Sequence, residues 1–92
     1  MARNKIEQEK ENRIFESYKR DLEKLGKQHG QLRMINIEYL CSFPKIDPYK
    51  MATTLALDGF HLVFDDSSIS REENDKKRKK VENMVSKQKA QS

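Results

Sequence analysis

The stretch DPYKMATTLALDG, residues 47–59, carries the clearest helix pattern in the sequence, and the fold can be worked out from it in both directions. Asp47 suits the N-cap, because its carboxylate can accept a hydrogen bond from a free N–H of the first turn. Pro48 fits the first helical position, where no N–H is needed, and Gly59 fits the C-cap. One side of the helix is apolar and is formed by Met51, Ala52 and Leu55. The stretch therefore predicts a short helix with one buried face.

Two segments with strand patterns flank this helix. LRMINIEYLCSF, residues 32–43, alternates in polarity, which predicts a strand that ends at Pro44. FHLVF, residues 60–64, predicts a second strand. The buried face of the first strand would hold Ile35, Ile37, Tyr39, Cys41 and Phe43. Because the helix between them returns the chain to its starting end, the strands should run parallel, as neighbours or with one strand position between them.

A helix is predicted at each end of the chain. Residues 2–26 carry one apolar stripe, and Gly26 is predicted to end this helix. The stripe is formed by Ile14, Phe15, Tyr18, Leu22 and Leu25. Ser70 and Glu73 match the S-x-x-E capping box, which predicts the start of the last helix. That helix would dock through Val81, Met84 and Val85. Residues 1–12 and 88–92 are expected to fray, because they lack a core to hold them.

The predicted order is helix, strand, helix, strand, helix in a single domain of residues 1–92. This order predicts a two-layer α+β fold with a small sheet. Two strands make a poor sheet, so a third strand is expected either from the long first segment or from another chain. A core this small also leaves little stability to spare, and a homodimer is therefore one open alternative.

The positive charge lies at the two ends of the chain. Residues 1–33 hold 9 Lys or Arg against 6 Asp or Glu, and residues 71–92 hold 8 against 4. Residues 34–70 hold 2 against 5, and the whole chain has a net charge of +4. This distribution favours attraction to nucleic acid or to an acidic protein.

Several functional classes are disfavoured by what the sequence contains. Cys41 is the only cysteine, which excludes an intramolecular disulfide and a structural zinc site built on cysteines. His29 and His61 share no metal-ligand spacing, and no catalytic motif is present, so we expect no enzyme activity, no metal and no cofactor. No segment has the pattern of a membrane span or a signal peptide, which predicts a cytoplasmic protein without membrane contacts.

Two sets of cations are the candidate binding residues. The first is a run on the last helix, Lys76, Lys77, Arg78, Lys79 and Lys80. The second is a ridge on the polar side of the first helix, Arg13, Arg20, Lys24 and Lys27, bordered by Glu16 and Glu23 at pairing distance. Both sets could bind phosphates or acidic side chains, and both could equally be solvated helix faces. Tyr39 and Phe43 could stack on bases but are predicted in the core, which leaves Tyr49 as the expected exposed aromatic.

Two resemblances add to this pattern. Residues 22–64 resemble the first half of the regulator-of-ribonuclease-E inhibitor family in a leading helix, a strand of the IEYLCSFP kind and a helix closing at GFHLVF. That resemblance implies a ferredoxin-like half fold and an inhibitory role, although the family is acidic and this chain ends in a basic helix. In size, charge and layout, the chain is also similar to phage-encoded inhibitors of host defence of the anti-CRISPR class. Such proteins are mostly stoichiometric binders that cover a nucleoprotein surface.

The expected function is therefore that of a non-enzymatic inhibitor. It would dock on a host protein or ribonucleoprotein complex, such as a CRISPR surveillance complex, and block nucleic-acid access. Contacts with RNA or DNA phosphates would come from the two sets of cations. Two alternatives remain open: a small regulator that binds DNA or RNA on its own, and an inhibitor of a ribonuclease that contacts protein only.

Overall fold

Four helices and two very short strands form the regular structure in the described part of the chain. The computed structural model describes the backbone of residues 5–91 and the side chains of residues 8–90. In chain order the elements are α1 (Lys5–His29), β1 (Leu32–Arg33), α2 (Met34–Ser42), α3 (Pro48–Leu57), β2 (Leu62–Val63) and α4 (Arg71–Gln91). The fold is thus mainly helical, with one small sheet.

The helix predicted at residues 47–59 is confirmed and lies at the centre of the fold. The Asp47 carboxylate accepts a hydrogen bond from the Tyr49 N–H at 2.9 Å, and Pro48 occupies the first helical position. Gly59, with φ of +96°, follows the last turn. The predicted inner residues Met51, Ala52 and Leu55 are fully buried. Helices α1, α2 and α4 all pack on α3, so a locally specified helix organises the rest of the chain.

The two strands run parallel, as predicted. Leu32 lies opposite Leu62 and Arg33 opposite Val63. The Leu32 N–H donates to the His61 carbonyl at 2.8 Å. Within residues 5–91 the sheet has these two strands alone, so the long first segment does not supply a third. Two helices, α2 and α3, connect the strands where one had been predicted.

The prediction of a strand across residues 32–43 is wrong for most of that range, because residues 34–42 form helix α2. Apolar residues occupy both odd and even positions of this segment, so they also satisfy a helical period. Met34, Ile37 and Cys41 are spaced by three and four residues, and all three are buried. The buried face of this helix packs on α3 and β1.

Helix α1 continues past the residue predicted to end it. It extends to His29, and Gly30, with φ of +77°, is the residue that follows the last turn. Gly26 is buried inside the helix instead. A Cβ atom at Gly26 would lie 2.7 Å from Cδ1 of the Phe60 ring and 3.1 Å from Cγ of Leu32. The glycine therefore lets α1 approach the sheet closely.

Gly26→Ala is expected to destabilise the protein by about 1 to 3 kcal/mol, because the added methyl group overpacks the contact between α1 and Phe60. Alanine gains about 1 kcal/mol of helix propensity, so the net loss measured by urea unfolding should be at the lower end of that range. Gly26→Ala combined with Phe60→Leu should recover part of the loss. A single variant as stable as the wild type would show that the Phe60 ring moves aside freely.

Helix α4 starts and docks as the sequence predicts. The Glu73 N–H donates to the Ser70 hydroxyl at 3.1 Å, which caps the helix immediately before Arg71. Val81 is buried, and the Met84 sulfur accepts a hydrogen bond from the Thr53 hydroxyl at 3.7 Å. Helices are present in residues 5–12 and 88–91, where fraying was expected. Fraying itself stays a prediction, and residues 1–4 and 92 lie outside the described part of the chain.

Candidate functional site

The basic run of α4 does not act as one surface, because two of its lysines hold the helix on the protein body. Lys77 Nζ donates to both carboxylate oxygens of Glu38 on α2, at 3.0 and 2.9 Å. Lys80 Nζ lies 4.0 Å from the centre of the Tyr49 ring on α3, a cation–π contact. These two ammonium groups stabilise the packing of α4 and are therefore committed within the fold.

The hydrogen bond with Glu38 raises the pKa of Lys77 above its ordinary value, while partial burial of the ammonium group acts in the opposite direction. Because the folded-state pKa lies above the unfolded one, this contribution to stability is fully present below about pH 10.5. It is lost as the pH rises through the raised pKa. The Lys77–Glu38 pair is thus intact at neutral pH.

Lys77→Met is expected to lower the free energy of unfolding at pH 7 by about 1 to 3 kcal/mol, since it leaves a partly buried carboxylate without its partner. Lys79→Met is the matched control on the same helix and should change stability by less than about 0.5 kcal/mol. Urea unfolding of both variants tests whether Lys77 stabilises the fold and Lys79 does not. The gap in unfolding free energy between the two variants should narrow as the pH rises through the raised pKa of Lys77. Equal changes in the free energy of unfolding for the two substitutions at pH 7 would contradict this difference between Lys77 and Lys79.

The other residues of the run point outward. Arg78 contacts carboxylates of its own helix, Asp75 at 3.3 Å and Glu82 at 3.9 Å. Lys76 and Lys79 are exposed and form no ion pair with any described residue. Lys87, two turns further on, is also exposed and forms no ion pair with a described residue. We call Lys76, Lys79 and Lys87 the α4 cations.

The ridge predicted on α1 is exposed over its whole length. Its four members, which we call the α1 ridge, are Arg13, Arg20, Lys24 and Lys27. The row extends from residue 13 to residue 27, which is about 21 Å at a rise of 1.5 Å per residue. The predicted pairs with Glu16 and Glu23 are absent among the described contacts. The four charges are therefore available to another molecule.

Lys19 explains why Glu23 is not available to the ridge. Its ammonium group lies 3.7 Å from Glu23 and 3.1 Å from Asp58, at the end of α3. The hydrogen bond with Asp58 is the main cause of the raised pKa of Lys19. This link could not be predicted from the sequence, because Asp58 is 39 residues away and the two side chains meet only when α1 packs on α3.

The predicted burial of the aromatic residues Tyr39 and Phe43 is wrong. Tyr39 and Phe43, predicted in the core, are 65% and 62% exposed. Their rings form an edge-to-face pair with centres 5.0 Å apart. Tyr49, expected to be the exposed aromatic, is half-buried beneath Lys80. The spacing of four residues between Tyr39 and Phe43 was the available signal, since it puts both side chains on one side of a helix.

Cys41 behaves as predicted for a small buried hydrophobic residue. It is fully buried, and burial raises the pKa of its thiol to about 11. Among the described residues, no group of three or more His, Cys, Asp or Glu side chains could hold a metal ion. No helix in residues 5–91 has both the length and the apolar character needed to cross a membrane.

Comparison with known proteins finds no matching family model, no similar curated protein and no similar solved structure. The resemblances to the anti-CRISPR class and to the ribonuclease-inhibitor family therefore stay predictions. What the molecule presents is two sets of exposed cations, the α1 ridge and the α4 cations, each on the outer face of its own helix.

Proposed function

We propose that this protein is a non-enzymatic binding protein that docks on a nucleic-acid-containing complex through its exposed cations. The observation that carries the proposal is that the α1 ridge and the α4 cations have no carboxylate partner among the described residues. Other basic residues of the same helices, such as Lys19 and Lys77, are paired with carboxylates of the body. These seven cations therefore have no ion-pair partner among the described residues, on a chain with a net charge of +4.

The arrangement of the α1 ridge fits a phosphate backbone. A row of about 21 Å is long enough to reach several phosphates of one strand. Long, flexible lysine and arginine side chains can reach successive phosphates from a straight helix. Such contacts supply affinity without reading base sequence, which suits a protein that recognises a complex and not a sequence.

The proposed mechanism is steric. The small body would cover the channel or groove that receives nucleic acid, while the cations contact phosphates or acidic side chains around it. We propose a CRISPR surveillance complex in the cytoplasm of a host cell as the kind of target, with this chain as a phage-type inhibitor. No covalent step or cofactor is required for such a blockade.

The test is a titration of the wild-type protein against a naked DNA duplex of about 20 base pairs and an RNA strand of equal length, over a range of salt concentrations. Weak binding that declines steeply with salt is the expected result. No detectable binding even at low salt would overturn the proposal and favour an inhibitor that contacts protein only. Tight binding to naked duplex at physiological salt would favour the second candidate, a regulator that binds nucleic acid on its own, because the same exposed cations serve it.

A further inference from the structure

The outer side of α2 carries an apolar stripe that the proposed function does not use. Ile35, Tyr39 and Phe43 are spaced by four residues and therefore follow one another along one side of the helix. Tyr39 and Phe43 are two of the three large hydrophobic residues exposed in the described part of the chain. Only nine apolar residues are buried among residues 8–90, so leaving two aromatic rings in water is a substantial loss of available burial.

The stripe is also free of unpaired charge, although 37% of the chain is charged. Glu38 is the only charged residue in α2, and Lys77 already neutralises it. The Ser42 hydroxyl donates to the Tyr39 carbonyl at 2.6 Å, so this neighbouring polar group is satisfied without water. Covering the stripe would therefore require no desolvation of an unpaired charge on α2.

We propose that the stripe is the contact between two copies of this chain, with the two α2 helices packed antiparallel about a two-fold axis. A two-fold contact brings the same patch together on both subunits, and a neutral patch can meet itself without charge repulsion. The α1 ridge and the α4 cations lie on other helices, so two copies of charge +4 would meet through an uncharged face. The antiparallel arrangement also places opposite helix dipoles side by side.

The area of the stripe sets the strength of the contact. Each aromatic residue can bury about 150 to 250 Å², and Tyr39 and Phe43 are nearly two thirds exposed, so the two residues offer about 200 to 300 Å² per copy. A standard interface buries about 800 Å² per partner. The dimer is therefore weak, and a standard-sized contact with a different protein would have to extend from the stripe onto the charged surface around it.

Sedimentation equilibrium from about 10 µM to about 1 mM protein tests this proposal, because the contact is well below standard size and dissociation constants in this range correspond to weak association. The wild type should shift from monomer to dimer, and more dimer should form at high salt, which screens the repulsion between two positive copies. The double variant Tyr39→Ala, Phe43→Ala should dimerise at least about tenfold more weakly. Leu57→Ala, which removes an exposed apolar side chain from α3, should leave the dimer unchanged.

A wild type that stays monomeric at the highest concentration would overturn the proposal, as would a dimer that survives in the double variant. Thermal unfolding shows whether the double variant is folded, which is expected because both side chains project into solvent. Tyr39→Ser alone is the second variant. It should also weaken the dimer, but by less, because it removes less apolar area.

Discussion

Leu55→Ala should lower the free energy of unfolding by about 2 to 5 kcal/mol, which is the cost of a large cavity in a core. Leu55 is fully buried on α3, the helix on which the other three pack. Its carbonyl also accepts a hydrogen bond from the Phe60 N–H at 3.1 Å, where the chain turns toward β2. Because domains of this size have little stability to spare, the variant should be partly unfolded at physiological temperature.

Leu57→Ala is the matched control, since the same substitution on the same helix removes a side chain that is 39% exposed. Its expected cost is below about 1 kcal/mol. Urea unfolding followed by circular dichroism measures both variants. A cost below about 1 kcal/mol for Leu55→Ala would mean that the core repacks around the cavity, and α3 would then not be the organising element.

Removing the α1 ridge should have the largest effect on binding. A variant with alanine at Arg13, Arg20, Lys24 and Lys27 loses four exposed charges that have no partner within the described fold. At about 0.1 M salt, its affinity for nucleic acid should fall by about a hundredfold or more, because each lost phosphate contact removes the release of nearly one counterion. Its stability should change little, since the four side chains are exposed.

The matched control for this variant keeps the charge and changes the side chains. The control carries Arg13→Lys, Arg20→Lys, Lys24→Arg and Lys27→Arg. All four positive charges are preserved. If phosphates are bound as point charges, the exchanged protein should keep its affinity within about threefold. A large loss in the exchanged protein would indicate recognition that depends on arginine geometry, and would contradict simple charge attraction.

The parts of the fold that local chemistry specifies could be predicted from the sequence. Helix α3 has its cap, its first-turn proline and its apolar face within residues 47–59, and α4 has its capping Ser70. Helix α2 could not be predicted in the same way, because its apolar residues satisfy periods of 2 and of 3.6 equally well. Packing on α3 and β1 selects the helix, and that selection depends on contacts distant in the sequence.

The candidate site, like the fold, could be predicted from the sequence only in part. The exposure of the α1 ridge follows from helical periodicity alone, so the sequence predicted it. The sequence could not separate Lys77 from Lys79, because the carboxylate that binds Lys77 belongs to Glu38 on another helix. Likewise, the aromatic stripe on α2 was hidden by the wrong secondary structure. Charge runs reveal where cations are, and tertiary contacts reveal which of them are free.

The most direct test of the central claim is the slope of log affinity against log salt concentration for one nucleic-acid strand, measured for the wild type and the α1-ridge alanine variant. If the four cations contact phosphates, the slope of the variant should be shallower by about 3 to 4, at about 0.9 per lost contact for a duplex. Parallel lines for the two proteins would contradict the account, since they would show that the α1 ridge is solvated and takes no part in binding.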